Sequence, residues 1–404
     1  MPSTLTAADR EHLKRALELA EGGRGRVSPN PLVGAVIVRG GEVIGEGFHA
    51  ELGGLHAERA ALADCAARGE DPAGATMYVT LEPCAHQGRQ PPCVEAILAA
   101  GIGRVVIASE DPSEKACGRG PGVLRDGGVE VELAAGEEAS AARLLNQPFR
   151  KHARTGLPLV TLKLAISLDG QTTTAPGDSP WISSERSREL VHRWRAESDA
   201  IAVGIGTVLA DDPLLTARPS ASGAPYAYVV GKKRTGTVLR PSARVVFDRQ
   251  ARLPLASQLL ATLDRAPVLV VVSPDADVSC RDALADAGVE ILVADGIEAA
   301  LAALGRRGIA SLFLEGGRTL AAAFAAADAI DEARVFVAPV LLGVGGERVQ
   351  AGAGFFALES ASLAAPSVRK TGHRARPDTP TPSQHSSVET IGDDVLITAR
   401  FKEW

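Results

Sequence analysis

The residues of this chain whose types and spacing can do chemistry are a histidine, a glutamate two positions on, and two cysteines that each follow a proline: His56, Glu58, Cys84 and Cys93. One imidazole and two thiolates fill three of the four tetrahedral positions of zinc and leave the fourth for water, which marks a catalytic site rather than a structural one. Bound zinc lowers the pKa of that water from about 16 to about 7. Glu58 is near enough to serve the reacting water without being a ligand. It would take the water's proton and deliver it to a ring and a leaving amine. Cys93 follows Pro91-Pro92 and is expected to open a helix, where the helix dipole favours a thiolate. Cys65, mid-helix among alanines, reads as packing, and Cys117 and Cys280 have no partner pattern.

The elements that must position these residues alternate. Thr6 and Asp9 form a candidate capping box for an N-terminal helix with Leu13, Ala16, Leu17 and Ala20 on one face. VGAVIV (33–38) is a strand closed by a Gly40-Gly41 turn, and the Gly53-Gly54 turn feeds a helix from His56. TMYVTLEPC, RVVIAS and GVEVELAAG read as strands, with the helix PPCVEAILAAG between the first two. Strands alternating with helices imply a sheet covered on its faces and parallel over part of its width. Polar residues, Gly and two prolines break the pattern around 146–160. The expected division is therefore a first domain over 1–147, a linker near 148–156 and a second α/β domain over 157–404. In the second domain, helix 184–197 and the strands AIAVGIG, RVVFD, PVLVVVS, VEILVA, SLFLEGG, ARVFVAP and DVLITARF continue the alternation. The polar stretch 369–387 reads as a surface loop.

Composition limits the partners. At 404 residues the chain calls for two domains, and its net charge of −6 argues against broad nucleic-acid binding. Five cysteines without a secretory leader fit a reducing cytoplasm, and the longest apolar runs are strand-sized, so no membrane partner is expected. His-x-Glu with Pro-Cys pairs is the arrangement of zinc-dependent base deaminases, here with eight residues between the cysteines. Two other readings stay open at this level: a zinc deaminase acting on a nucleoside or tRNA, and a module in which zinc only holds the fold. The second would require a fourth protein ligand.

PNPLVGAVIV, GFHAELGGLHAE and LEPCAHQGRQPPC resemble the deaminase half of a bifunctional riboflavin-biosynthesis family, and LKLAISLDG, SPWIS, GIGTVLADDPLLTAR and LEGGRTLAAAF its reductase half. That family is the diaminohydroxyphosphoribosylaminopyrimidine deaminase/5-amino-6-(5-phosphoribosylamino)uracil reductase. The resemblance implies a cytidine-deaminase-like αβα domain followed by a dihydrofolate-reductase-like α/β domain, with Zn2+ and NADPH as cofactors. The first would remove the 2-amino group of 2,5-diamino-6-ribosylamino-4(3H)-pyrimidinone 5′-phosphate. The second would reduce the ribosyl chain to ribityl.

Asn30, His49, His86 and Arg89 match positions that contact the deaminase substrate; cationic donors such as Arg89 also suit its phosphate. Ala165, Trp181, Thr207, Asp211 and Gly317, Arg318, Thr319 and Leu320 match NADPH-contacting positions. Lys163, Ser179, Arg195, Leu215, Arg218 and Glu315 match the reductase substrate site. No Gly-x-Gly-x-x-Gly precedes a helix, so a Rossmann site is not indicated; the start of a helix after Gly316-Gly317 suits a phosphate instead. A cytoplasmic homo-oligomer acting on a small phosphorylated pyrimidine is expected. The chain departs from the family at DPSEKACGRG (111–120), which keeps only the glycine end of the usual motif, and at QTTT, Pro180 and Arg59-Ala60.

Overall fold

The computed structural model describes residues 5–88, 90–113, 116–174, 181–218, 229–230, 233–234, 241–343, 381–382 and 386–404. The chain forms two compact units: Met1–Leu162 with Glu189–Asp331 and Trp404, and Lys163–Arg188 with Glu332–Glu403.

In the first unit, helix α1 (Ala7–Ala20) starts at the expected capping box: Asp9 N–H donates to Thr6 Oγ1 at 3.1 Å and Thr6 N–H donates to Asp9 Oδ2 at 2.9 Å. Asp9 is also buried, because Tyr78 Oη and Arg104 Nη1 each donate to its Oδ1 at 2.8 Å. The cap therefore ties α1 to the sheet. Leu13, Ala16, Leu19 and Ala20 are the buried apolar positions of α1, and Leu17, expected among them, packs only partly buried.

The sheet runs β2 (Glu42–Phe48), β1 (Gly34–Arg39), β3 (Thr76–Val79), β4 (Arg104–Ile107), β5 (Glu130–Leu133). β1 is antiparallel to both neighbours and β3, β4 and β5 are parallel. Alternation sends Val36, Tyr78 and Val106 to the α1 face, and Ile37, Met77 and Val105 to the face of α2 (Ala57–Ala67) and α3 (Cys93–Ala99). Two further helices, α4 (Arg119–Asp126) and α5 (Glu137–Leu145), complete the layers.

β2 was not expected from the sequence because Gly45 and Gly47 lower strand propensity. Their bareness has a use here. A Cβ at Gly47 would lie 2.2 Å from Ala61 N, and one at Gly45 2.5 Å from Ala61 O. Glycine thus lets α2, which carries Glu58, press onto β2.

The stretch expected as a linker is helix α6 (Gln147–Thr155). Pro148 sits in its first turn, where the missing N–H costs no hydrogen bond, and Gly156 closes it in the left-handed region at φ 70°. Its Arg150 and Lys151 are buried against polar partners.

The second sheet of this unit is parallel, in the order β12 (Glu290–Val293), β11 (Val268–Val272), β10 (Ala243–Phe247), β7 (Ala200–Gly204), β13 (Ser311–Leu314) and the first half of β6 (Leu159–Ser167). Strands covered on both faces read as unbroken apolar runs, as β11 does with all five residues buried. A two-residue pair, β8 (Val229–Val230) and β9 (Lys233–Arg234), is antiparallel. After β7 a helix over Ile205–Asp211, absent from the sequence reading, carries Thr207 and Asp211.

In the second unit β14 (Glu332–Ala338) pairs with β17 (Asp394–Arg400), which pairs with β16 (Ser386–Ile391); β15 (Thr381–Pro382) pairs with β18 (Lys402–Glu403). Most of the expected polar loop lies outside the described residues, but Ser386 and Ser387 begin β16. Pairing there is through backbone, and an outer strand exposed along its length needs no buried side chains.

Candidate active site

Four segments deliver the deaminase residues to one place. The Gly53-Gly54 turn ends at His56, the N-cap of α2, and Glu58 lies in that helix's first turn. Cys84 follows β3, and Cys93 opens α3 directly after Pro92. His56 Nδ1 lies 3.6 Å from Cys84 Sγ and 3.3 Å from Cys93 Sγ, and the three donor atoms lie within 4.8 Å of one another. Tetrahedral zinc, with bonds of about 2.3 Å to sulfur and about 2.1 Å to nitrogen, holds such atoms about 3.6 Å apart. The donor set fits that ion. Cys93 N–H, at the start of α3, donates to Cys84 Sγ at 3.4 Å and so supports negative charge there. Among the described residues no other histidine, cysteine or carboxylate joins this group.

The ionisation of the thiols points the same way. A hydrogen bond from Cys93 draws the Cys84 thiol down to about 4, while the same bond holds Cys93 up. Without a cation only one of the two carries charge, and two thiolates this close require one between them. Burial pushes the Glu58 carboxyl up to about 6, as suits a group that must both take and give a proton near neutrality.

A cavity of about 370 Å³ opens onto His56, Glu58 and Cys84 and is also lined by Asn30, His49 and His86. His49 is buried, and burial depresses its pKa. Its Nδ1 lies 2.9 Å from the carbonyl of Leu55, which can only accept, so Nδ1 carries the proton and Nε2 accepts from Asn30 Nδ2 at 3.2 Å. His49 thereby fixes the Asn30 amide. His86 is exposed at the cavity, and Arg89 lies outside the described residues.

Sequence reasoning missed Glu82, Asp111, Ser113 and Phe149, which also line the cavity. Glu82 is buried, and its carboxylate accepts from the backbone N–H groups of Gly118 at 3.1 Å and Gly120 at 3.2 Å. A Cβ at Gly120 would come 2.1 Å from Pro83 O. These contacts explain why the divergent 111–120 segment keeps its glycine end: it packs on the residue before Cys84.

In the reductase part, Arg195 and Glu315 form a two-pronged ion pair, with Nη2 donating to Oε2 at 2.8 Å. The partner of Arg195 is thus the carboxylate that ends β13. Arg195 Nη1 also donates to Thr216 O at 3.3 Å, which fixes the turn after Leu215. Leu215 itself is buried in the core with φ 50°, so only its backbone can face a ligand. Replacing Glu315 by Ala would leave a largely buried guanidinium without its carboxylate, and we expect a loss of about 3 kcal/mol in urea unfolding. A loss under about 1 kcal/mol would contradict this role.

His192 lies beside these groups. Burial, followed by the charges of Arg195 and Arg218, pushes its pKa down to about 4, and Arg218 N–H donates to its Nδ1 at 3.3 Å. The unfolded chain, with the ordinary value of 6.5, binds more protons at every pH between those two values. This contribution to stability is therefore complete above the unfolded value and lost as the pH falls toward the folded one. His192→Gln is expected to flatten the fall in Tm from about pH 7 to about pH 5; an unchanged slope would contradict this.

Gly317 is the N-cap of the helix Arg318–Ala326 and offers no side-chain cap; a Cβ placed there would meet nothing within 4 Å. Thr319 and Leu320 follow, and Leu320 Cβ lies 3.7 Å from a Cβ built at Gly204, just before the helix bearing Thr207 and Asp211. A helix start without a side-chain cap fits a cofactor phosphate. Lys163 and Ala165 on β6 and the half-exposed Trp181, with Arg188 5.0 Å over its ring, belong to the second unit. Ser179 lies outside the described residues.

Comparison with known proteins agrees with this organisation. Residues 6–109 match the cytidine and deoxycytidylate deaminase zinc-binding region, and residues 158–376 match the RibD C-terminal domain. The riboflavin biosynthesis protein RibD of Bacillus amyloliquefaciens is 36% identical over 399 residues, covering 97% of this chain and 96% of that protein. That of Escherichia coli is 39% identical over 346 residues, covering 83% and 89%. Acinetobacter baumannii RibD superposes with a TM-score of 0.77 at 35% identity, covering 98% of this chain and 99% of that one. A Thermotoga maritima diaminohydroxyphosphoribosylaminopyrimidine deaminase/5-amino-6-(5-phosphoribosylamino)uracil reductase superposes at 0.75 with 32% identity and the same coverage. Zinc in the deaminase region and NADPH in the reductase domain are the cofactors. With these matches spanning both halves, the chain belongs to the RibD family of bifunctional deaminase–reductases of riboflavin biosynthesis.

Proposed function

We propose that this chain deaminates 2,5-diamino-6-ribosylamino-4(3H)-pyrimidinone 5′-phosphate and then reduces the ribosyl chain of the product to ribityl, in domains 1–147 and 157–404 joined by α6. The observation that carries the reading is the meeting of His56 Nδ1, Cys84 Sγ and Cys93 Sγ beside a buried Glu58 on one cavity. Bound zinc supplies activated water at neutral pH. Glu58 takes the two protons of the attacking water in turn, passing the first to the ring nitrogen as the hydroxyl adds to carbon and the second to the amine as the carbon–nitrogen bond breaks, so that water is consumed and ammonia released. Asn30, aligned by His49, holds the pyrimidine, and His86 and Arg89 meet the phosphate.

Bound NADPH supplies a hydride. Gly317, Arg318, Thr319 and Leu320, with Thr207 and Asp211, hold its phosphate end. Arg195, aligned by Glu315, and Arg218 take the substrate phosphate beside the Leu215 backbone. The roles of Lys163, Ala165, Ser179 and Trp181 follow from the resemblance alone. No helix among the described residues is long and apolar enough to cross a membrane, and a cytoplasmic homo-oligomer completes the reading.

The experiment supplies the diaminopyrimidine nucleotide to purified protein with and without NADPH. Ammonia is expected in both cases, with NADPH absorbance falling only after ammonia has appeared. Oxidation of NADPH ahead of any ammonia would contradict the order of steps.

A further inference from the structure

α6 does more than join the two halves. Phe149 lines the deaminase cavity, and the next residue, Arg150, is 1% exposed. Its guanidinium grips the segment after β4: Nη1 donates to Ser109 Oγ at 3.2 Å and Glu110 O at 3.1 Å, and Nη2 donates to Glu110 Oε1 at 2.6 Å. The following residue, Asp111, is a cavity wall, and Ser109 O accepts from Glu82 N–H at 2.9 Å, two residues before Cys84. A guanidinium buried this fully keeps its geometry only where its remaining donors are met.

Trp404 meets them. Its carbonyl accepts from Arg150 Nε at 2.6 Å, its N–H donates to Gln147 Oε1 at 2.8 Å, and its indole N–H donates to Asp331 Oδ1 at 2.9 Å. Lys151 Nζ stands 5.1 Å over the indole ring and donates to Asp331 Oδ2 at 2.6 Å. A residue 254 positions away thus sets the angle at which Arg150 holds a wall of the deaminase cavity.

We propose that Arg150, anchored by Trp404, is a positioning residue for deamination: the pair holds the Ser109–Asp111 segment in its substrate-binding place. The inference rests on the deaminase reading above.

The test measures ammonia release, zinc content, and NADPH oxidation on the already deaminated nucleotide, in the unmutated chain and in Trp404→Gly, Trp404→Phe and Glu110→Gln. Glu110 has a half-exposed side chain, so its variant removes the negative charge from the Arg150 contact with little risk to folding. The KM for ammonia release is expected to rise about tenfold in Trp404→Gly and in Glu110→Gln, with kcat within about twofold. Zinc stays near one per chain, the reductase is unchanged, and Trp404→Phe recovers part of the affinity. An unchanged KM in both Trp404→Gly and Glu110→Gln, or equal loss of both activities, would overturn the proposal. Absence of ammonia from the unmutated protein would overturn the deaminase reading, and this inference with it.

Discussion

Glu58→Gln is expected to lower ammonia release by about 10²- to 10⁴-fold while zinc stays near one per chain. The substitution keeps the size of a fully buried side chain and removes only its ability to exchange a proton. Glu58 stands next to the donor atoms on the cavity, and burial holds its carboxyl up to about 6, closer to neutrality than an ordinary carboxylate. An amide can do neither half of the transfer. Deamination needs both, because the water must lose a proton and the amine must gain one before it leaves. Loss of zinc from this variant would mean that Glu58 holds the metal instead, and the role assigned to it would be wrong.

Cys84→Ser should act further upstream. Cys84 receives the N–H at the start of α3, which supports negative charge on its sulfur. A serine hydroxyl stays protonated at neutral pH and is a poor zinc donor. Zinc should leave the protein on dialysis, and ammonia release should fall by at least about 10³-fold. NADPH oxidation with the deaminated nucleotide should stay within about twofold of the parent. Retained zinc with continuing ammonia release would remove Cys84 from the ligand set.

The four residues at the centre were legible because their chemistry is carried by type and spacing: a His-x-Glu and two Pro-Cys steps suit one metal and one proton carrier. The walls of the cavity were not. Glu82, Asp111 and Phe149 come from three separate segments, and nothing in their local sequence says that they face the same space. Two elements escaped for opposite reasons. β2 was hidden by glycines that weaken a strand yet admit α2, and α6 by charged residues that read as solvated but are buried in paired contacts. The Arg195–Glu315 pair spans 120 positions, a separation at which periodicity says nothing. The αβ alternation carried the rest, since runs such as VLVVV admit few readings once helices flank them.

The most direct measurement strips zinc from the purified protein with a chelator and follows ammonia from the diaminopyrimidine nucleotide without NADPH. Ammonia release should stop when the metal is removed and return when one equivalent of zinc is added, with reduction of the deaminated nucleotide unaffected throughout. Ammonia release that continues at full rate from metal-free protein would contradict the account.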